Sequence, residues 1–227
     1  MWINKCYLLA ASAYAPIDYI LSGMNPKKCF KWGYFTEVKH YSDIDCLIQN
    51  KSLRKSGKIN ILWVGRLIAC KHPEYVIYVA KSLKKDGVNF CINVIGTGRL
   101  EDRLQAQILK ENLGEHVSLL GSMPPEQVRA YMETADIYMF TSDRQEGWGA
   151  VLNESMGSAC AVVADENIGS VPYLINHRVN GLVYKSKDVD DLVEKIKSLI
   201  KNPSVIEEMG KRAYATMSEM WNGKVAA

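Results

Sequence analysis

From Lys58 onward, short apolar runs alternate with amphipathic ones, and this alternation constrains the fold more than any other feature. Strand-like runs fall at 58–64, 88–95, 117–120, 135–142, 161–164 and 181–184. Helix-like runs fall between and after them, at 73–85, 99–112, 125–134, 148–159, a short piece after Ser170, 188–200 and 203–220. Pro73, Pro124 and Pro125 stand where a helix tolerates proline, at its first turn. Strands and helices alternating at this spacing predict a parallel sheet covered on both faces. The fold class expected is therefore α/β.

Residues 1–57 are less regular. Residues 6–11 suit a strand, Ser12 a cap for a helix over 13–21, and Gly23 its stop. The aromatic segment 31–35 suits a strand or a packed linker, and 36–57 is polar and mixed. Met1 to Ala13 loosely mimics a signal peptide, but its apolar part is at the short limit and one positive charge precedes it. A buried strand and the start of a helix is the preferred reading. No run approaches the ~20 apolar residues of a spanning helix.

Composition narrows the partners. Nearly half of the 227 residues are apolar, enough for a sizeable core, and the net charge is only +3. No long basic cluster points to nucleic acid. Cys6, Cys29, Cys46, Cys70, Cys91 and Cys160 are scattered with no Cys-x-x-Cys pair, as expected of reduced, mostly buried thiols in a cytoplasmic protein and not of a disulfide framework or zinc site. His40, His72, His116 and His177 have no metal-ligand spacing.

The stretch richest in chemistry is Glu146-Gly147-Trp148-Gly149-Ala150-Val151-Leu152-Asn153-Glu154. It follows a buried-strand run and opens a helix-like one, so Glu146 sits in a loop at a strand's carboxyl end, where ligands bind in open α/β sheets. Glycines let backbone approach a ligand, and the helix start offers amide donors that suit phosphate. Glu154 follows one to two turns into the helix. The plain alternative is two solvated carboxylates and a common Gly-x-Gly turn. Trp148 suits a core or lid position as well as ligand contact.

Two glutamates so spaced, with Gly-aromatic-Gly after the first, resemble the signature of retaining nucleotide-sugar glycosyltransferases of the GT-B fold, family-4 (group 1) type. Gly65-Arg66-Leu67 with Lys71, Gly96 and Gly98, Gly121, the strand start at 135–137, Ser142 and Asn180-Gly181-Leu182-Val183 fall in the family's order. The pattern is similar to bacterial enzymes of surface-polysaccharide assembly. The resemblance implies a Rossmann-like doubly wound sheet, the C-terminal half of a GT-B enzyme, over residues 58–220. It implies that 1–57 is a remnant of the acceptor-side domain plus a linker, and that 221–227 is a truncated tail. It implies roles: Arg66 and Lys71 at the diphosphate, Glu146 at the donor sugar, and Glu154 at the ribose hydroxyls. Gly65, Gly96, Gly98, Gly147, Trp148, Gly149, Ala150 and Val151 would complete the donor site. The resemblance further implies a nucleotide-diphosphate sugar as donor and a polysaccharide or lipid-linked molecule as acceptor, with no cofactor or metal, and a cytoplasmic or peripheral inner-membrane location. Tyr173 departs from the family, many of whose members carry Glu there.

Two rival functions stay open on sequence: a non-catalytic donor-binding module completed by a partner chain, and a nucleotide-sugar epimerase. The epimerase would need an acid and a base in the cleft, and no His or Asp is placed for that. A dinucleotide-binding domain is disfavoured because Glu101 stands where a third glycine belongs.

Overall fold

The computed structural model describes residues 5–52 and 57–226. The N-terminal part is a small parallel unit of β1 (Leu8–Ala10), α1 (Ala15–Leu21) and β2 (Cys29–Lys31). Ser12 lies before the helix, where its hydroxyl accepts the Tyr14 N–H at 3.2 Å, and the helix starts at Ala15, later than the expected 13. Residues 32–41 form a packed linker without regular structure. The polar stretch after it contains a helix that composition hid, α2 (Ile44–Ser52), while 53–56 lie outside the described residues.

The main sheet holds β3 (Ile59–Val64), β4 (Phe90–Ile95), β5 (Val117–Leu119), β6 (Ile137–Phe140), β7 (Ala161–Asp165) and β8 (Leu182–Tyr184). Its order is β5-β4-β3-β6-β7-β8, and every pairing is parallel. Each of these strands coincides with an apolar run of the sequence. Successive side chains of a strand point to opposite faces. Thus Ile61 and Trp63 belong to one core cluster and Leu62 to the other. The first cluster is covered by α3 (Tyr75–Lys85), α4 (Glu101–Lys110) and α8 (Val189–Ile200). The second is covered by α5 (Pro125–Thr134), α6 (Val151–Gly157) and α7 (Val171–Leu174). Helix α9 (Pro203–Ala215) serves both, through Ile206 and Met209 on one side and Ala213 on the other. The sheet is doubly wound and Rossmann-like, as expected. Fully buried side chains such as Phe90, Ile92 and Leu83 each contribute about 1.5–3 kcal/mol.

Four local expectations need correction. The strand expected to be buried over 6–11 spans Leu8–Ala10, and of it only Ala10 is buried, Leu9 being exposed. The helix expected over 148–159 is shorter, Val151–Gly157. Gly149 has φ 73°, and a helix cannot run through a left-handed residue. The helix expected over 203–220 is regular to Ala215 and widens into a π turn over Thr216–Met220. There Thr216 donates to the Arg212 carbonyl at 2.8 Å and accepts from Asn180 Nδ2 at 2.9 Å, placing a side chain in the helical ladder. Past it, 223–226 form a further short helix, α10 (Gly223–Ala226), that the tail's sequence did not announce.

Helix α2 is held by one buried ammonium. Lys51, 6% exposed, donates from Nζ to the carbonyls of Met132 at 3.0 Å, Ala135 at 2.9 Å and Ser158 at 2.6 Å. These carbonyls end α5 and α6, where free acceptors and the negative dipole end favour a cation.

Candidate donor-binding site

The site lies at the carboxyl ends of β3, β4 and β6, the central neighbours in the sheet. Three loops meet there. The loop after β3 carries Gly65, Arg66 and Lys71. The loop after β4 carries Gly96 and Gly98. The loop after β6 carries Glu146 to Ala150. The Gly65 N–H donates to the Ile95 carbonyl at 3.0 Å and the Leu67 N–H to Thr97 at 2.9 Å, so the first two loops run side by side. Gly96 has φ 133°, and a Cβ there would strike the Gly65 carbonyl. Only glycine fits that approach.

Lys71 and Glu146 meet. The ammonium forms an ion pair with Glu146 Oε2, and the two side chains are 18% and 15% exposed. Burial, with some help from Arg66, pulls the Lys71 ammonium down from the usual lysine range. The adjoining carboxylate favours its charged form. Arg66 is exposed, a second cation near enough to act on Lys71.

Backbone and hydroxyl contacts fix this pair. The Trp63 indole N–H donates to Thr141 Oγ1 at 2.8 Å, and that hydroxyl donates to the Lys71 carbonyl at 2.7 Å. The Asp143 N–H donates to the Cys70 carbonyl at 2.9 Å. Ser142 Oγ donates to Glu146 Oε2 at 3.3 Å, and the Glu146 N–H to the Asp143 carbonyl at 2.9 Å. Sequence reasoning missed Thr141, Ser142 and Asp143 as supports. The available signal was a polar triplet closing an otherwise apolar strand.

Glu154 occupies a separate recess of about 270 Å³, lined with Pro125, Glu126, Arg129 and Met132. Burial raises its carboxyl above the usual glutamate range, and Arg129 partly offsets this. Arg129, absent from the sequence expectations, thus faces Glu154 from α5.

Trp148 is 3% exposed, and its ring belongs to an aromatic cluster and not to an open wall. It stacks on Trp221 at 5.5 Å and lies 5.9 Å from Tyr34 and 6.1 Å from Tyr173. Its indole N–H donates to Asn153 Oδ1 at 2.8 Å, and Asn153 Nδ2 donates to the Tyr34 carbonyl at 3.0 Å. Of the expected donor-binding side chains, this one is core. Tyr173 joins the same cluster, with Lys31 Nζ 4.5 Å from its ring centroid. The N-terminal unit also touches the site directly, because the Ala13 N–H donates to Gly169 at 2.8 Å and the Gly169 N–H to the Glu146 carbonyl at 3.1 Å. Since α6 starts at Val151, Gly147, Gly149 and Ala150 form the turn leading into it, with Ala150 at the N-cap.

Among the described residues, no three or more His, Cys, Asp or Glu side chains gather as metal ligands. The cysteines are not mostly buried as expected: Cys160 is buried, Cys29, Cys70 and Cys91 are half-buried, and Cys6 and Cys46 are exposed.

Residues 47–216 match the family described as glycosyl transferases group 1. The chain belongs to that family. It is 30% identical over 173 residues to the amylovoran biosynthesis glycosyltransferase AmsK of Erwinia amylovora, covering 74% of this chain and 42% of that protein. The chain therefore spans less than half of that relative's length. Its fold is that of TarM from S. aureus, solved with UDP, at TM-score 0.80 and 20% identity, covering 98% of this chain and 43% of TarM. HepE of Anabaena, solved with UDP and glucose, aligns at TM-score 0.77 and 20% identity over 95% of this chain and 59% of HepE. The C-terminal domain of LpcC from Francisella tularensis aligns at TM-score 0.69 and 22% identity over 82% of this chain and 96% of that domain. The bacterial surface-polysaccharide resemblance of the sequence is thus borne out at family level. Among the described residues, no helix is long and apolar enough to cross a membrane.

Proposed function

We infer that this chain is the donor-binding part of a glycosyltransferase that moves a sugar from a nucleotide-diphosphate sugar to a polysaccharide or lipid-linked acceptor, with retention at the anomeric carbon. The observation that carries the reading is the Lys71–Glu146 pair, held at the carboxyl edge of the sheet by the loops of β3 and β6. UDP bound to TarM and HepE, two proteins of the same fold, supports it.

Breaking an anomeric carbon–phosphate bond leaves cationic character on the sugar and builds negative charge on the diphosphate. Fixed positive groups at the leaving group lower that barrier most. Lys71 supplies a point charge and Arg66 a bidentate fork. Backbone amides of the Gly147–Val151 turn add neutral donors. Glu146 orients Lys71 and meets a donor-sugar hydroxyl, its charge favouring the developing cation. Glu154 accepts the ribose hydroxyls, for which two carboxylate oxygens suffice. On this reading charge compensation rests on side chains and amides, without a metal cofactor.

The division into 1–57 from an acceptor-side domain, 58–220 as donor domain and 221–227 as tail is part of the proposal. Alignment of this chain with a free-standing C-terminal domain supports it. Acceptor contacts would fall to a second half, on the same polypeptide or a separate partner. The place of work is the cytoplasm or the inner face of the membrane.

The test is calorimetric titration of the chain with UDP, GDP and ADP, beside Lys71→Ala and Glu154→Ala. Saturable binding of one nucleotide, weakened in both variants, is expected. No binding to any of the three by the folded wild-type chain would overturn the reading.

A further inference from the structure

His72 follows Lys71 and has no part in the chemistry above, yet it is more tightly constrained than any surface histidine needs to be. Its backbone sits at φ 48°, a left-handed conformation costly for a residue with a Cβ. Its ring stacks on Tyr75 at 4.9 Å and 23°. Nδ1 lies 3.0 Å from Glu74 Oε1 and Nε2 lies 3.4 Å from Asp143 Oδ2. Glu74 is on the His72 side of the site, while Asp143 belongs to the loop after β6. Asp143 is also the residue whose carbonyl holds the Glu146 N–H and whose N–H holds the Cys70 carbonyl. One imidazole thus bridges the segment that presents Lys71 and the segment that presents Glu146.

Both ring nitrogens face carboxylate oxygens. A neutral imidazole has one N–H and donates to one of them; the imidazolium donates to both. We propose that His72 is a positioning residue, a protonation-dependent clasp whose charged ring draws the Asp143 loop onto the Lys71 turn and so aligns the Lys71–Glu146 pair for a diphosphate. This rests on the donor-site reading given above.

The groups around the ring agree with that state. Glu74 and Tyr75 face it from α3 and its approach, and Asp143 from the β6 loop. Arg103 of α4 lies close enough to act on Glu74, Asp165 at the end of β7 acts on Tyr75, and Glu74 and Tyr75 in turn act on Tyr184 of β8. The Glu74 hydrogen bond, reinforced by Asp143, raises the His72 imidazolium above the usual histidine value, with burial opposing. A raised value means that the clasp is complete at low pH and is lost as pH rises through it.

The experiment titrates the full chain with UDP between about pH 5.5 and 8.5, for wild type, His72→Gln and His72→Arg. The nucleotide's own phosphate titrates in this range for every variant, so the readout is the ratio of affinities. Wild type should bind roughly tenfold more tightly than His72→Gln at the acid end, with the ratio falling toward one at the alkaline end. His72→Arg, charged throughout, should hold the tight value and lose the pH dependence of the ratio. A ratio to His72→Gln that is one everywhere, or that does not change with pH, overturns the proposal. If wild type binds none of UDP, GDP or ADP at any pH, the donor reading falls first. The clasp is then judged by NMR titration of the histidine side chains, where Asp143→Asn should lower the His72 midpoint; an unmoved midpoint overturns it.

Discussion

The Thr141 hydroxyl donates to the Lys71 carbonyl at 2.7 Å while accepting the Trp63 indole N–H at 2.8 Å. One buried hydroxyl therefore ties the end of β3, the turn that carries Lys71 and the end of β6. Thr141→Val keeps the shape and removes both bonds, leaving an indole N–H and a carbonyl unpaired. A loss of about 1–3 kcal/mol is expected in urea denaturation, with weaker UDP binding because Lys71 is no longer anchored. Unchanged stability and affinity would show that the relay is incidental.

Lys51 supports the far end of the sheet. Lys51→Met keeps the apolar stem and strands three carbonyls at the ends of α5 and α6. The expected cost is about 2–4 kcal/mol of unfolding free energy. Nucleotide affinity should not change beyond what the lost stability explains, because the site is at the opposite edge of the sheet. A variant as stable as wild type would refute the capping role.

Glu154 is expected to trade stability for binding. Burial raises its carboxyl, so the folded state holds that proton more tightly than the unfolded chain does, and carrying the ionised group near neutral pH opposes folding. The sign follows: Glu154→Gln should be more stable than wild type near neutral pH, with the advantage vanishing as pH falls toward the usual glutamate range. The same variant should bind nucleotide more weakly, since the amide offers one acceptor in place of two. Chemical denaturation at several pH values, paired with UDP titration, checks both halves.

Gly149 sets the entry to α6. Its φ of 73° strains any L side chain, and a Cβ would run into the Phe140 ring and come 3.3 Å from the Glu146 carboxyl carbon. Gly149→Ala should cost roughly 1–3 kcal/mol and displace Glu146. Gly147→Ala is the control, because nothing lies within 4 Å of a Cβ built there. Equal thermal shifts for the two would count against this account.

Much of the fold was legible because a parallel strand buried on both faces reads as a continuous apolar run, as β6 does, and the edge strand β5 was marked by its place in the alternation. The start of α6 was not, because Gly149 reads equally as a first helical residue and as the left-handed break before one. The apposition of Lys71 and Glu146 was reachable only through a resemblance, since spacing along the chain does not say that β3 and β6 are neighbours. Lys51 was invisible: a lone lysine in a polar stretch is nearly always solvated, and only the carbonyls it meets mark it as buried. Trp148 could be narrowed to core or ligand wall, and its partners Tyr34 and Trp221, distant in sequence, decided for core.

The strand order has a kinetic consequence. Strands β3, β4 and β5 can pair through successive short crossovers, and so can β6, β7 and β8, but the junction joins Ile61 to Ile137 and closes a much longer loop. Lys71 and Glu146 come from opposite sides of that junction, so the site does not exist until the slowest pairing is made. A nucleotide then has nothing to hold in a half-assembled sheet. It should slow unfolding and leave the rate of folding almost unchanged.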